Sequence, residues 1–230
     1  MEFSHPMTNL STTVQSKVSV CDHPLLRHYL TILRDCETSV EIFRMAMKRV
    51  SQLVLIEASR DLPLSPRNVK TPITETVGQT LSPDVPLLIV PILRAGLVMG
   101  EEAAQLLPTA RVCHLGLYRD EQTYLPVTYY NKLPDTLSYE KAQIFVTDPM
   151  LATGGSAVAA IDLLKKQGVP GENIRFACVI AAPEGIENLV KHHPDIYIFT
   201  GVVDERLNEH AYIVPGLGDA GDRMFGTLKH

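Results

Sequence analysis

The hydrophobic positions of the chain fall into two regimes. In "ETSVEIFRMAMKRVSQLVLIEA", Glu37 to Ala58, the residues Ile42, Met45, Ala46, Val50, Leu53 and Val54 recur at helical intervals behind Thr38 and Glu41, which have capping-box spacing. This predicts a long amphipathic helix whose Met and Leu stripe belongs to a core or a subunit interface. Beyond residues 61–66 the pattern changes to short apolar and β-branched runs: "LLIVPIL", "ARVCHLGLYR", "QIFVTD", "RFACVIAA" and "DIYIFTGVV". Helical segments are predicted among them at Gly96–Leu107, Ser156–Gln167 and Glu184–His192. Continuous apolar strands alternating with helices predict an α/β fold with a mainly parallel central sheet covered on both faces. Such sheets bind ligands beyond the carboxyl ends of their strands.

One stretch departs from this scheme. "YRDEQTYLPVTYYNKLP", Tyr118 to Pro134, alternates around Gln122 to Pro126 and carries Tyr124, Tyr129 and Tyr130. It predicts a β-hairpin arm lying over a ligand or onto a partner subunit.

With 230 residues, 45% of them hydrophobic, the chain can bury a full core. We expect a polar N-terminal tail over residues 1–20 and a single domain over 21–230. A net charge of -5 argues against a nucleic-acid binder but leaves room for a local anion pocket. Cys21, Cys36, Cys113 and Cys178 lack CxxC spacing and read as reduced thiols. His192, His193 and His210 have no metal spacing and read as surface or structural residues. The most apolar run, Val85 to Leu93, is too short to span a membrane, and the N-terminus lacks the order of a secretory signal. A cytoplasmic protein without membrane contact is expected.

Three strand-end segments carry candidate chemistry. In "VTDPMLATGGSAVAAIDLLKKQG", a buried strand leads through Thr153–Ser156 into a helix with Ala157, Ala160, Ile161 and Leu164 inward. Gly154 and Gly155 permit close approach of an anion, Thr153 and Ser156 add hydroxyls, and the helix start offers free N–H groups. A bare phosphate would not need Asp148, but a phosphorylated sugar would, because an ionised carboxylate accepts hydrogen bonds from a diol. A plain strand-to-helix turn is the other reading. In "PILRAGL", Arg94 ends the most apolar strand before Ala95 and Gly96, and fits either a pyrophosphate contact or a strand-end ion pair. Arg119, at the base of the tyrosine arm, is a third anion contact or a surface arginine. Finally "YIVPGLGDAGDRMFGT", Tyr212 to Thr227, reads as neither strand nor helix; its glycines suit a main chain laid against a flat ligand, or simply a flexible loop.

These segments, with "GLYRDEQTYLPVTYYNKLP", "AAPEG", "LNEHAYIVPGLGDAGDRMFGT" and, more weakly, "HPLLRHYL" and "EASRDLP", resemble the uracil branch of the type I phosphoribosyltransferases in order along the chain. Asp148 is followed by Pro149 rather than a second acid, which is also that branch's pattern. The resemblance implies a type I phosphoribosyltransferase-like fold with a hairpin arm and a C-terminal base-binding region. It implies conversion of uracil and 5-phosphoribosyl 1-diphosphate (PRPP) to UMP and pyrophosphate, assisted by Mg²⁺ held mainly through PRPP and water. By the same resemblance, PRPP is contacted by Arg94, Arg119, Asp148, Pro149, Met150, Leu151, Ala152, Thr153, Gly154, Gly155, Ser156 and Asp219. Uracil is contacted by Ile213, Gly218, Asp219 and Ala220, and the catalytic set is Arg94, Arg119 and Asp219. A homodimer or higher assembly is implied, and some relatives respond to GTP. The competing expectations are a regulator of the same fold that binds nucleotide and RNA, disfavoured by the acidic charge, and a transferase for another base, disfavoured by the C-terminal loop.

Overall fold

The structure, a computed structural model, describes residues 10–119, 126–134 and 139–227. Its elements in chain order are α1 (Thr12–Gln15), β1 (Val18–Val20), α2 (Pro24–Arg34), α3 (Val40–Ala58), β2 (Leu64–Lys70), β3 (Glu75–Leu81), β4 (Leu87–Leu93), α4 (Gly96–Leu106), β5 (Arg111–Val112), β6 (Leu115–Arg119), β7 (Pro126–Asn131), β8 (Gln143–Thr147), β9 (Met150–Leu151), α5 (Gly155–Lys166), β10 (Ile174–Ala181), α6 (Pro183–His192), β11 (Tyr197–Val203), β12 (Arg206–Leu207), β13 (Ile213–Val214) and α7 (Ala220–Phe225).

The central sheet runs β1-β11-β10-β8-β4-β6-β7, with β5 also on β4 and β9 also on β10. Every pairing is parallel except β6 with β7. The predicted mainly parallel sheet is therefore present, and strand alternation explains its two covered faces. Leu88, Val90, Ile144, Val146, Phe176 and Cys178 point into one cluster with α5 and α6, where the predicted stripe Ala157, Ala160, Ile161 and Leu164 is buried. Their neighbours Leu87, Ile89, Phe145, Ala177 and Val179 point the other way, against α2, α3, α4 and α7.

Several expectations are corrected. The long helix is present, but Ser39 is its N-cap, accepting from Ile42 N–H at 3.4 Å, while the Thr38 hydroxyl turns back to the Ile32 carbonyl at 2.7 Å. Its buried stripe is rotated to Phe43, Ala46, Met47, Val50 and Val54, leaving Ile42 and Met45 exposed. The helix is apolar over more than one face, and the face carrying Phe43 and Met47 is the one its neighbours cover. Residues 1–20 are not all tail: β1 closes one sheet edge beside β11, with Val18 and Val20 packed on the core. The Tyr212–Thr227 segment is not all loop, since it contains β13 and α7. The β6–β7 pair matches the predicted arm, and Tyr124 at its centre lies outside the described residues. A second hairpin, β2–β3, has no counterpart among the predicted elements; it is polar or exposed on both sides and turns on Thr71, whose hydroxyl accepts from Ile73 and Thr74 N–H.

Register places Pro91 of β4 opposite Thr147 of β8, so the two strands end side by side. Gly96 makes this possible: a Cβ there would lie 2.2 Å from the Thr147 carbonyl oxygen, which belongs to the rigid sheet. Gly96→Ala is expected to cost about 3 kcal/mol in urea unfolding. Gly78→Ala, where a Cβ meets only ordinary contacts at 3.8 Å, should stay within about 1 kcal/mol of the parent.

Candidate active site

At the end of β8 the chain passes through Asp148 and the short strand β9 into the turn that starts α5. Gly154 is the N-cap with φ of 80°, and no side chain caps the helix. The first helical bond runs from Val158 N–H to the Gly154 carbonyl, so the N–H groups of Gly155, Ser156 and Ala157 have no partner within the helix. With Thr153 and Ser156 exposed beside them, this is an anion cradle at a helix start.

The cradle is braced from α6. A Cβ on Gly185 would lie 2.3 Å from the Ala152 oxygen, and one on Gly154 would lie 2.8 Å from the Gly185 oxygen. The two backbones therefore touch. Asn188 donates its amide to the Thr153 carbonyl at 2.8 Å, and Ala182 N–H donates to the Leu151 carbonyl at 2.9 Å. Gly185 belongs to the "AAPEG" segment noted in the sequence; Asn188 carried no signal there.

Asp148 is half-buried, with its Oδ1 accepting from Met150 N–H at 3.3 Å. Burial pushes its pKa from 3.8 up to about 7, against the pull of that N–H. Without a ligand the carboxyl therefore exchanges a proton near neutrality. Burial also pushes the Cys178 thiol up to about 12, helped by the nearby Asp148 and opposed by a Thr200 hydrogen bond.

Arg94 lies at the end of β4, exposed, with Nη2 3.6 Å from Asp222 Oδ1. Ala95 caps α4 without any side-chain bond. Asp219 caps α7 by accepting from Asp222 N–H at 2.8 Å, and a Cβ on Gly221 would come within 4.0 Å of the Ala95 Cβ. The start of α7 is thus set beside the start of α4. Arg119 ends β6, the strand parallel to β4. Ile213 is buried in β13, Ala220 is buried at the start of α7, and Gly218 and Asp219 between them are exposed. Gly216 and Gly218 take φ of 67° and 77°.

Residues far apart in sequence therefore meet along the edge formed by the carboxyl ends of the central strands: the cradle at 148–156, the Arg94 junction and the 213–222 segment. The open groove of about 650 Å³ between α3 and α4, lined by Arg44, Lys48, Arg49 and Glu102 among others, lies elsewhere. The strand-end site is identified by its converging donors and carboxylates, not by depth. Among the described residues no group of three or more His, Cys, Asp and Glu side chains is placed to hold a metal, and no helix is long and apolar enough to cross a membrane. His193 is buried, while His192 and His210 are exposed.

A family model described as uracil phosphoribosyltransferase matches residues 20–227. The chain belongs to the uracil phosphoribosyltransferase family. It is 54% identical to the uracil phosphoribosyltransferase of Dictyoglomus turgidum over 91% of this chain and 99% of that one. It is 53% identical to that of Streptococcus pneumoniae over 92% and 99%. A solved structure of a protein from Aquifex aeolicus, 36% identical, superposes with a TM-score of 0.84 over 93% of this chain and 100% of that one.

The Asp148 shift carries a sign. Unfolded, this carboxyl releases its proton near its ordinary value of 3.8; folded, it holds the proton to about 7. The folded state therefore loses stability as pH rises between those values. In Asp148→Asn that loss is absent, so urea midpoints of the variant relative to the parent should rise between about pH 5 and about pH 7.5. A difference constant across the range would show that Asp148 is ionised throughout.

Proposed function

We propose that the chain transfers the phosphoribosyl group of PRPP to N1 of uracil, giving UMP and pyrophosphate. The observation that carries this reading is the meeting of the Gly154–Ser156 cradle, the Arg94 junction and the Ile213–Ala220 main chain on one edge, in a chain of the uracil phosphoribosyltransferase family.

In this reading the 5-phosphate sits on the unpartnered N–H groups of Gly155, Ser156 and Ala157, with the Thr153 and Ser156 hydroxyls beside it. Pro149, Met150, Leu151 and Ala152 shape the approach, and Asp148 takes the ribose hydroxyls. Binding a diol favours the ionised carboxylate, so the ligand would draw Asp148 below its ligand-free value near 7. As the bond from C1′ to the pyrophosphate oxygen breaks, its electron pair leaves with pyrophosphate, N1 bonds to C1′ from the opposite face, and the N1 proton departs. Arg94 and Arg119 stabilise the charge that grows on the leaving group, which lowers the barrier more than it tightens substrate binding.

The base is read by main-chain groups of Ile213, Gly218, Asp219 and Ala220. Fixed peptide donors and acceptors suit the alternating edge of uracil, and cytosine would set its amine against an N–H. The donor set at this edge fits Mg²⁺ held mostly by substrate and water: Asp219 is exposed, and among the described residues only its Oδ1 is bound, in capping α7. When bound, Mg²⁺ would neutralise pyrophosphate charge. Asp219 is also the proposed acceptor for the N1 proton. A homodimer or higher assembly is supported by the β2–β3 hairpin, which carries Ile73 at 91% and Val77 at 62% exposure.

The test is product formation from labelled uracil, PRPP and Mg²⁺, beside cytosine, hypoxanthine and orotate. UMP from uracil alone, abolished by EDTA, is expected; turnover of another base, or none, would overturn the reading. Arg94→Ala should lower kcat by about a hundredfold or more while the fold is kept. Asp219→Asn should lower kcat with both substrates still bound; unchanged turnover would remove Asp219 as the proton acceptor.

A further inference from the structure

A site that reads a base with peptide groups has few side chains with which to set its selectivity. Its discrimination rests on how firmly the main chain is held, and displacements near 0.5 Å already matter in such constellations. The segment that leads into Gly218 is poorly suited to holding itself, with two glycines at positive φ inside Pro215–Gly218.

Three charged side chains outside the proposed base contacts do the holding. Asp204 follows the last residue of β11, its N–H bonded to the Ala181 carbonyl at 2.8 Å, so it is fixed to the sheet. It is 4% exposed. Its Oδ2 accepts from Gly216 N–H at 2.8 Å and from Arg34 Nη1 at 2.8 Å, and its Oδ1 accepts from Arg34 Nη2 at 2.5 Å. Arg34 Nη1 also donates to the Gly216 carbonyl at 2.8 Å. The donor and the acceptor of Gly216 are thus both taken by one forked ion pair. On the next residue, Arg223 Nη1 donates to the Leu217 carbonyl at 2.8 Å. Arg223 is itself bound to the Leu33 and Asp35 carbonyls, and its guanidinium lies 4.3 Å from the Phe43 ring centre.

We infer that Arg34, Asp204 and Arg223 are positioning residues that set base selectivity by clamping the Gly216–Leu217 main chain to the end of α2 and to β11. An apolar pair could fill the same space with equal or better stability. It could not hold the N–H and the carbonyl of one residue at once. A lysine at either arginine position keeps the charge but loses the planar fork, so it separates positioning from mere burial.

The inference rests on the proposed uracil transfer. Its test compares the parent, Arg34→Lys and Arg223→Lys for KM of uracil, KM of PRPP and the kcat/KM ratio of uracil to its close analogue 4-thiouracil. Amide exchange of the 212–219 peptide is followed in the same proteins. The expected result for each variant is a uracil KM raised about tenfold or more, the effect of losing one charge-assisted hydrogen bond. The PRPP KM should stay within about twofold, with a narrower base ratio and faster exchange at 212–219. A folded variant whose uracil KM and base ratio match the parent, or whose two KM values rise together, overturns the inference while leaving the transfer reaction standing. Failure of both variants to fold would make the arginines structural props and also overturn it. A folded parent that forms no UMP would overturn the functional reading and this inference together.

Discussion

The site depends on one constraint: three parallel strands, β4, β8 and β10, must end at the same edge with their following turns in backbone contact. Pairing in register fixes the strands, as Pro91 opposite Thr147 and Thr147 opposite Ala177 show. The turns then meet only because glycines omit a side chain where α4 passes the Thr147 oxygen and where α6 passes the Ala152 oxygen. These contacts are between main-chain atoms that the sheet holds still. A substitution there cannot be absorbed by a rotamer change, and the geometry of the anion cradle inherits the rigidity of the sheet.

Electrostatics divides the edge into unlike halves. The Gly154 turn offers N–H groups and a helix start, while Asp148 beside it is buried enough to sit near pH 7 before any ligand arrives. A turn that offers free N–H groups to an anion and a carboxyl that resists ionisation are compatible neighbours, because the unliganded state avoids placing full negative charge in a poorly solvated spot. Around the Arg94 junction the arrangement is reversed: an exposed guanidinium stands 3.6 Å from Asp222, loosely enough to turn toward a more strongly charged partner.

Much of this was legible in the sequence, and the parts that were not share a cause. Apolar runs such as Leu87–Leu93 and Gln143–Thr147 announced strands because both their faces are buried, and the Ala157–Leu164 stripe announced α5. The hairpin β2–β3 was not found because neither face is buried, so it leaves no alternation to read. The stripe of α3 was misplaced because that helix is apolar on more than one side and only its neighbours decide which side faces in. Within the site, the glycine-rich segments stood out by composition. Asn188, Arg34 and Asp204 did not, because a single polar residue reaching across the fold has no local signature. Arg34 and Asp204 are 170 positions apart.

That separation bears on how the molecule is made. The cradle and the Arg94 junction are assembled from residues 91–188, a continuous stretch of strand-helix units. The 213–222 segment instead takes its fixed points from the end of α2, through contacts spanning up to 190 positions. During synthesis the Gly154 turn can form while the last residues are still inside the ribosome, and the 213–222 segment waits until the two extremes of the chain have met. Long-range closure of this kind is slow relative to local folding. A nascent or C-terminally clipped chain would carry the residues of the cradle without the 213–222 segment, and would also lack the core side chains Ile213, Leu217, Ala220 and Met224.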